Sequence, residues 1–121
     1  KKSKLYEMAL AIKKREGWFD GSLSWRMNNP GNLKFIGQKN AVLGERGFAK
    51  FKTYRDGWEA LLKQLEIAAT GKSKVYSPDD TIISFFQKYA PSSDKNDSMG
   101  YALFVAQEIE VDPLTKLKEL L

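Results

Sequence analysis

The apolar residues Leu5, Met8, Ala9 and Ile12 recur at i, i+3, i+4 and i+7, while Lys4, Glu7, Lys13 and Lys14 fall mostly off that stripe. The spacing predicts an amphipathic helix, with Ser3 placed to cap it and Gly17 to end it. The period is lost from Trp18 to Asn32, where Gly21, Ser22, Asn28, Asn29, Pro30, Gly31 and Asn32 supply turn chemistry. That stretch reads as a structured loop, too aromatic for a linker. Three short runs follow, Leu33 to Ile36, Asn40 to Leu43 and Phe48 to Lys52, punctuated by glycines, and they predict a small antiparallel sheet. Thr53 with Asp56 three residues later resembles a capping box. It opens a second stripe of Tyr54, Trp58, Leu61, Leu62, Leu65 and Ala69, which predicts a central core helix ending near Gly71.

Ser77-Pro78-Asp79-Asp80 combines a cap, a proline and first-turn acids, and predicts the start of a helix carrying Ile82, Phe85, Phe86 and Tyr89 until Pro91 stops it. A polar loop, Ser92 to Asp97, leads to a helix with Tyr101, Phe104, Val105 and Ile109. Asp112-Pro113 then opens a last short helix with Leu114, Leu117 and Leu121. The expectation is an α+β, mainly α, arrangement of about five helices around one small sheet. Residues 1–121 show no repeat and no composition shift, so one domain is expected.

Composition narrows the chemistry. At 121 residues, with 42% hydrophobic and 29% charged positions, the chain can bury a core and is too apolar for a disordered one. No apolar run approaches the ~20 residues of a membrane span, and Lys1 to Leu10 lack a signal-like hydrophobic region, so a soluble chain is expected. Cysteine and histidine are both absent. Disulfides, thiolate metal sites, serine-histidine triads and the commonest general base are thereby excluded, and chemistry falls to carboxylates, amides, hydroxyls and aromatics. The formal charge of +5 suits an acidic partner, although the lysines are spread along the whole chain.

Glu16 lies four residues after Ile12 and seven after Ala9, so it extends the apolar stripe if the first helix reaches it. An acid there would be partly desolvated and would face the negative end of the helix dipole. Both effects favour the protonated form, the property a general acid needs near neutral pH. The plain alternative is a helix that frays at Arg15 and leaves Glu16 exposed. Beyond it, Trp18, Phe19 and Trp25 offer flat faces for sugar rings or nucleobases, and Asn28, Asn29 and Asn32 offer paired donors and acceptors. Core tryptophans and turn-shaping asparagines would account for the same residues.

Several spaced motifs follow one another in order. Glu16-Gly17 is followed by Ser24-Trp25-Arg26-Met27-Asn28-Asn29-Pro30-Gly31-Asn32-Leu33, then by Gly47 to Phe51, Tyr54 to Leu61, Tyr89-Ala90-Pro91 and Asn96-Asp97. In this order they resemble a lysozyme-like family of bacterial and phage proteins related to lytic transglycosylases and goose-type lysozymes. The resemblance spans about three quarters of the chain and implies a mainly helical domain whose small sheet lines a glycan cleft. It implies that Glu16 is the catalytic glutamate, that Asn29 and Asn32 form the wall facing it, and that Tyr89 is an aromatic residue at the far side. The family usually carries a third asparagine where Met27 stands, which leaves a substrate contact at position 27 open.

Glycosidic cleavage by retention or inversion normally uses two carboxylates. Asp20, Glu45 and Asp56 are the available partners for Glu16. Asp56 reads as a helix cap, Asp20 as a turn residue, and Glu45 as the best remaining choice, although an exposed turn acid paired with Arg46 accounts for it better. The related lytic transglycosylases need only one acid. With one convincing acid in the chain, the resemblance implies that reaction on the β-1,4 bond between N-acetylmuramic acid and N-acetylglucosamine, although no residue reads the lactyl group or the stem peptide. Trp25, Asn29, Asn32, Tyr89 and Glu45 are then the expected substrate contacts. No cofactor or metal is called for, and a monomer in the cell envelope, periplasmic, extracellular or phage-associated, is expected. A hydrolytic muramidase or chitinase-like enzyme and a non-catalytic glycan-binding module are the alternatives. A nucleic-acid binder lacks a cation cluster on one helix face.

Overall fold

The computed structural model describes residues 3–121. Within them the chain is mainly helical, with one two-stranded antiparallel sheet. In order the elements are α1 (Lys4–Arg15), α2 (Leu23–Arg26), β1 (Ala41–Leu43), β2 (Ala49–Phe51), α3 (Tyr54–Ala69), α4 (Ile82–Tyr89) and α5 (Ser98–Glu108). Short 3-10 turns cover Glu45–Gly47, Ser92–Asp94 and Leu117–Leu120. The chain forms two compact units, Ile12–Gln64 and the remainder, with the division falling inside α1 and α3. No helix among the described residues is long and apolar enough to cross a membrane.

The first helix forms as its stripe predicts, with Leu5, Met8, Ala9 and Ile12 buried and Gly17 leaving the helix at φ 76°. In the unit Ile12–Gln64, the expected loop after it contains a short helix that the turn-prone composition concealed. Ser22 caps α2 by accepting from the Trp25 amide, and Asn29 N–H bonds the Ser24 carbonyl. In the sheet, Ala41 pairs with Phe51, Val42 with Lys50 and Leu43 with Ala49. Ala49 and Phe51 enter the core, while Val42 and Lys50 face outward.

The third expected strand is reduced to one bridge, Lys34 with Phe48. The cause is Gln38, whose side chain takes the Lys34 carbonyl at 2.8 Å and the Ile36 amide at 2.9 Å, next to Gly37 at φ 83°. These groups are bonded within a bend, so no ladder extends beyond Lys34. Thr53 caps α3, its hydroxyl accepting from the Asp56 amide at 3.2 Å and donating to the Asp56 carboxylate at 2.8 Å, as the capping pattern predicts.

In the other unit, α4 starts later than the Ser77-Pro78 signal suggests. Ser77–Asp80 forms a turn of its own, closed by Asp80 N–H on the Ser77 carbonyl, and Thr81 is the cap, paired reciprocally with Ser84. Pro91 disfavours helical backbone at Ala90, and α4 ends there. Asp97 caps α5, which packs on α4 through Phe86 and Tyr101, stacked at 4.4 Å. The last helix is a 3-10 turn in which Leu117 and Leu120 are buried, whereas Leu114 and Leu121 are exposed. The expected α-helical stripe fails because this segment is held to α4's entry in extended form, by a Thr81–Lys116 bridge and by Leu117 N–H on the Asp80 carbonyl.

Candidate active site

Glu16 stands at the end of α1, one residue past the last helical position, and its amide still bonds the Ile12 carbonyl at 2.9 Å. The helix turn is therefore complete up to Glu16, and the side chain is half-buried as the stripe arithmetic predicts. Its Oε1 accepts from Asn32 Nδ2 at 2.9 Å. The Asn32 Oδ1 atom is buried without a hydrogen-bond partner among the described residues.

The turn that delivers Asn32 is built by its own residues. Asn32 N–H bonds the Asn29 carbonyl at 3.0 Å, closing a four-residue turn around Pro30-Gly31. The left-handed backbone positions are Asn28 (φ 52°) and Asn32 (φ 47°), which asparagine tolerates better than most residues. The turn is backed by α3 at Gly57, where a Cβ would stand 1.9 Å from the Asn28 carbonyl oxygen. Glycine lacks a Cβ, and that is what admits the Asn28 carbonyl so close to the helix.

The three asparagines have separate tasks. Asn29 is 0% exposed and spends its whole side chain on backbone. Nδ2 donates to the Leu33 and Ala49 carbonyls, each at 2.9 Å, and Oδ1 accepts from the Leu33 amide at 2.9 Å. The expected substrate contact at Asn29 is thus corrected: the residue is a buried bracket between the turn and β2. Asn28 donates to the Phe51 carbonyl at 3.2 Å and tethers the same turn. Asn32 is the one of the three whose side chain is seen to bond Glu16.

Met27 is 4% exposed and packs beneath Gly44, where a Cβ would come within 2.7 Å of its sulfur. The question of a substrate contact at position 27 is answered by burial. Glu45 accepts a charge-assisted bond from Arg26, not from Arg46. Arg46 sits in the left-handed region at φ 56°, and its guanidinium lies 5.8 Å from the Phe48 ring. Asp56 is held by Asn40 and Thr53, hydrogen bonds that keep its carboxyl below the ordinary range. Asp20 is exposed.

Among the aromatics, Trp25 (42% exposed) and Phe19 (65%) present open surface. Trp18 is engaged instead, edge-on to Tyr54 at 5.0 Å with the Lys13 ammonium 5.1 Å from its ring. Tyr89, in the other unit, belongs to a cluster with Phe85, Phe86 and Tyr101. The Arg26–Glu45 pair was missed from sequence because the two residues are 19 positions apart, and only the fold relates them. Compared with protein-family models, curated protein sequences and solved structures, the chain finds no match, so its functional reading rests on this geometry.

Proposed function

We propose that the chain is a lysozyme-like glycosidase that cleaves the β-1,4 bond between N-acetylmuramic acid and N-acetylglucosamine, with Glu16 as its single acid and base. The observation that carries this reading is the Asn32 amide. One end holds the Glu16 carboxyl at 2.9 Å, and the other is a buried acceptor with no donor among the described residues. A buried amide oxygen left in that state calls for a water or a ligand group. The N–H of an N-acetyl sugar supplies such a donor beside the acid.

In the reaction proposed, Glu16 gives its proton to the glycosidic oxygen as the bond to C1 breaks, and both bonding electrons leave with that oxygen. The substrate's acetamido oxygen stabilises the positive centre at C1. Glu16, now a carboxylate, takes the proton of the 6-hydroxyl as that oxygen closes on C1 and forms a 1,6-anhydro ring. No second carboxylate takes part. The engagement of Glu45 by Arg26 and of Asp56 by Thr53 and Asn40 supports the one-acid reading over hydrolysis.

The test is digestion of purified peptidoglycan followed by mass spectrometry. Anhydro ends are expected from the native chain, and Glu16→Gln is expected to lower turnover by at least ~10²-fold, the usual scale for losing a general acid. Reducing ends would identify a hydrolase. Turnover unchanged in Glu16→Gln would remove Glu16 from the chemistry.

A further inference from the structure

Along β2 the side chains alternate, so the burial of Ala49 and Phe51 sends Phe48, Lys50 and Lys52 to the opposite face. Cross-strand partners share a face, which adds Lys34 opposite Phe48 and Val42 opposite Lys50. Residues 33–52 carry five cations and one acid, Glu45, which Arg26 occupies. Lys34 and Arg46 both lie against the Phe48 ring, at 4.3 and 5.8 Å from its centre. Neither they nor Lys50 and Lys52 form an ion pair among the described residues.

One branched aliphatic side chain, Val42, stands among these charges, and a second, Ile36, stands in the adjoining bend. Val42 is 61% exposed, and Ile36, two residues beyond Lys34, is 80% exposed. One exposed aliphatic residue is ordinary, but Val42 among unpaired cations, with exposed Ile36 in the bend beside them, matches an interface of acyl chains and phosphates. A soluble polyanion would use the cations and ignore the aliphatics, and nucleobases or sugars would need flat rings. The ring on this face, Phe48, is covered by cations. We infer that the outer face of this hairpin docks on an anionic phospholipid surface, with Ile36 and Val42 entering the headgroup region and Lys34, Arg46, Lys50 and Lys52 meeting the phosphates.

Co-sedimentation of the full chain with vesicles of phosphatidylglycerol mixed into phosphatidylcholine tests this, with pure phosphatidylcholine vesicles for comparison. Binding only to the anionic vesicles, weakening as salt rises, is expected. Lys50→Gln should weaken it about fivefold, the share of one cation near such a surface. Lys63→Gln, which removes an exposed α3 cation outside the hairpin, should change it less than twofold. Ile36→Ser combined with Val42→Ser should weaken binding at unchanged charge, with far-UV circular dichroism confirming the fold. Absence of binding, or equal losses from Lys50→Gln and Lys63→Gln, would overturn the inference. So would full binding by the serine double variant together with competition by soluble polyphosphate, which would identify a polyanion site.

Discussion

Replacing Asn29 by alanine separates a structural bracket from a substrate contact. The side chain makes three hydrogen bonds of 2.9 Å, all to backbone and all buried. Truncation removes them, leaving the Leu33 amide and Ala49 carbonyl short of a partner. The Leu33 carbonyl keeps its second bond, from Ala49 N–H. Two stranded groups at about 1–3 kcal/mol each, with little cavity from so small a change, give ~2–6 kcal/mol, a large share of a domain's total stability. With a urea slope of ~1–3 kcal/mol/M, the midpoint should fall by about 2 M at unchanged slope. All three tryptophans lie between Ile12 and Gln64, so intrinsic fluorescence reports the unit that holds Asn29. A midpoint unmoved by Asn29→Ala, with glycan binding lost instead, would refute the bracket and return Asn29 to the glycan wall.

Asn32→Gly keeps the left-handed backbone but removes the donor to Glu16. It should therefore lower kcat about tenfold or more on peptidoglycan while shifting the thermal midpoint only slightly. Gly57→Ala places a Cβ 1.9 Å from the Asn28 carbonyl oxygen and should destabilise by about 3 kcal/mol, read as a lowered urea midpoint. Thr81→Ala removes the α4 cap and should cost about 1 kcal/mol, or ~4 °C by calorimetry. Burial raises the Asp80 carboxyl, but bonds from Lys88, the Ser77 amide and Ser84 outweigh it and lower the pKa below the ordinary value. Its stabilisation is therefore present above the unfolded-state pKa near ~4 and is lost as pH falls through the folded-state value, so Asp80→Asn should be less stable than the native chain at pH ~7, with the gap closing in acid.

Local rules carried much of the fold. The α1 stripe, its stop at Gly17, the Thr53 cap and the break before Pro91 all depend on residues within a few positions of one another. The misses arise where a distant or side-chain partner decides. Gln38 diverts the Leu33–Ile36 run from the sheet, and the segment around Lys116 is drawn into a bridge with Thr81, more than thirty positions earlier in the chain. Within the site, the position of Glu16 was legible from the 3.6-residue period. The division of labour among Asn28, Asn29 and Asn32 was not, because identical side chains differ only in what the fold places around them. Ala49, twenty positions from Asn29, is what makes the latter a bracket.

The close seat of the Asn28 carbonyl on Gly57 also bears on the entropy of ligand capture. Fixing a backbone residue costs about 1–2 kcal/mol, and loops that order only when a ligand arrives subtract that cost from affinity. Here the turn from Asn28 to Asn32 is tethered by the Asn28 and Asn29 side chains and pressed on the first turn of α3. Its ordering cost is met during folding. A ligand that engages Asn32 encounters an amide already aimed, and its contact energy is not diminished by having to organise the turn.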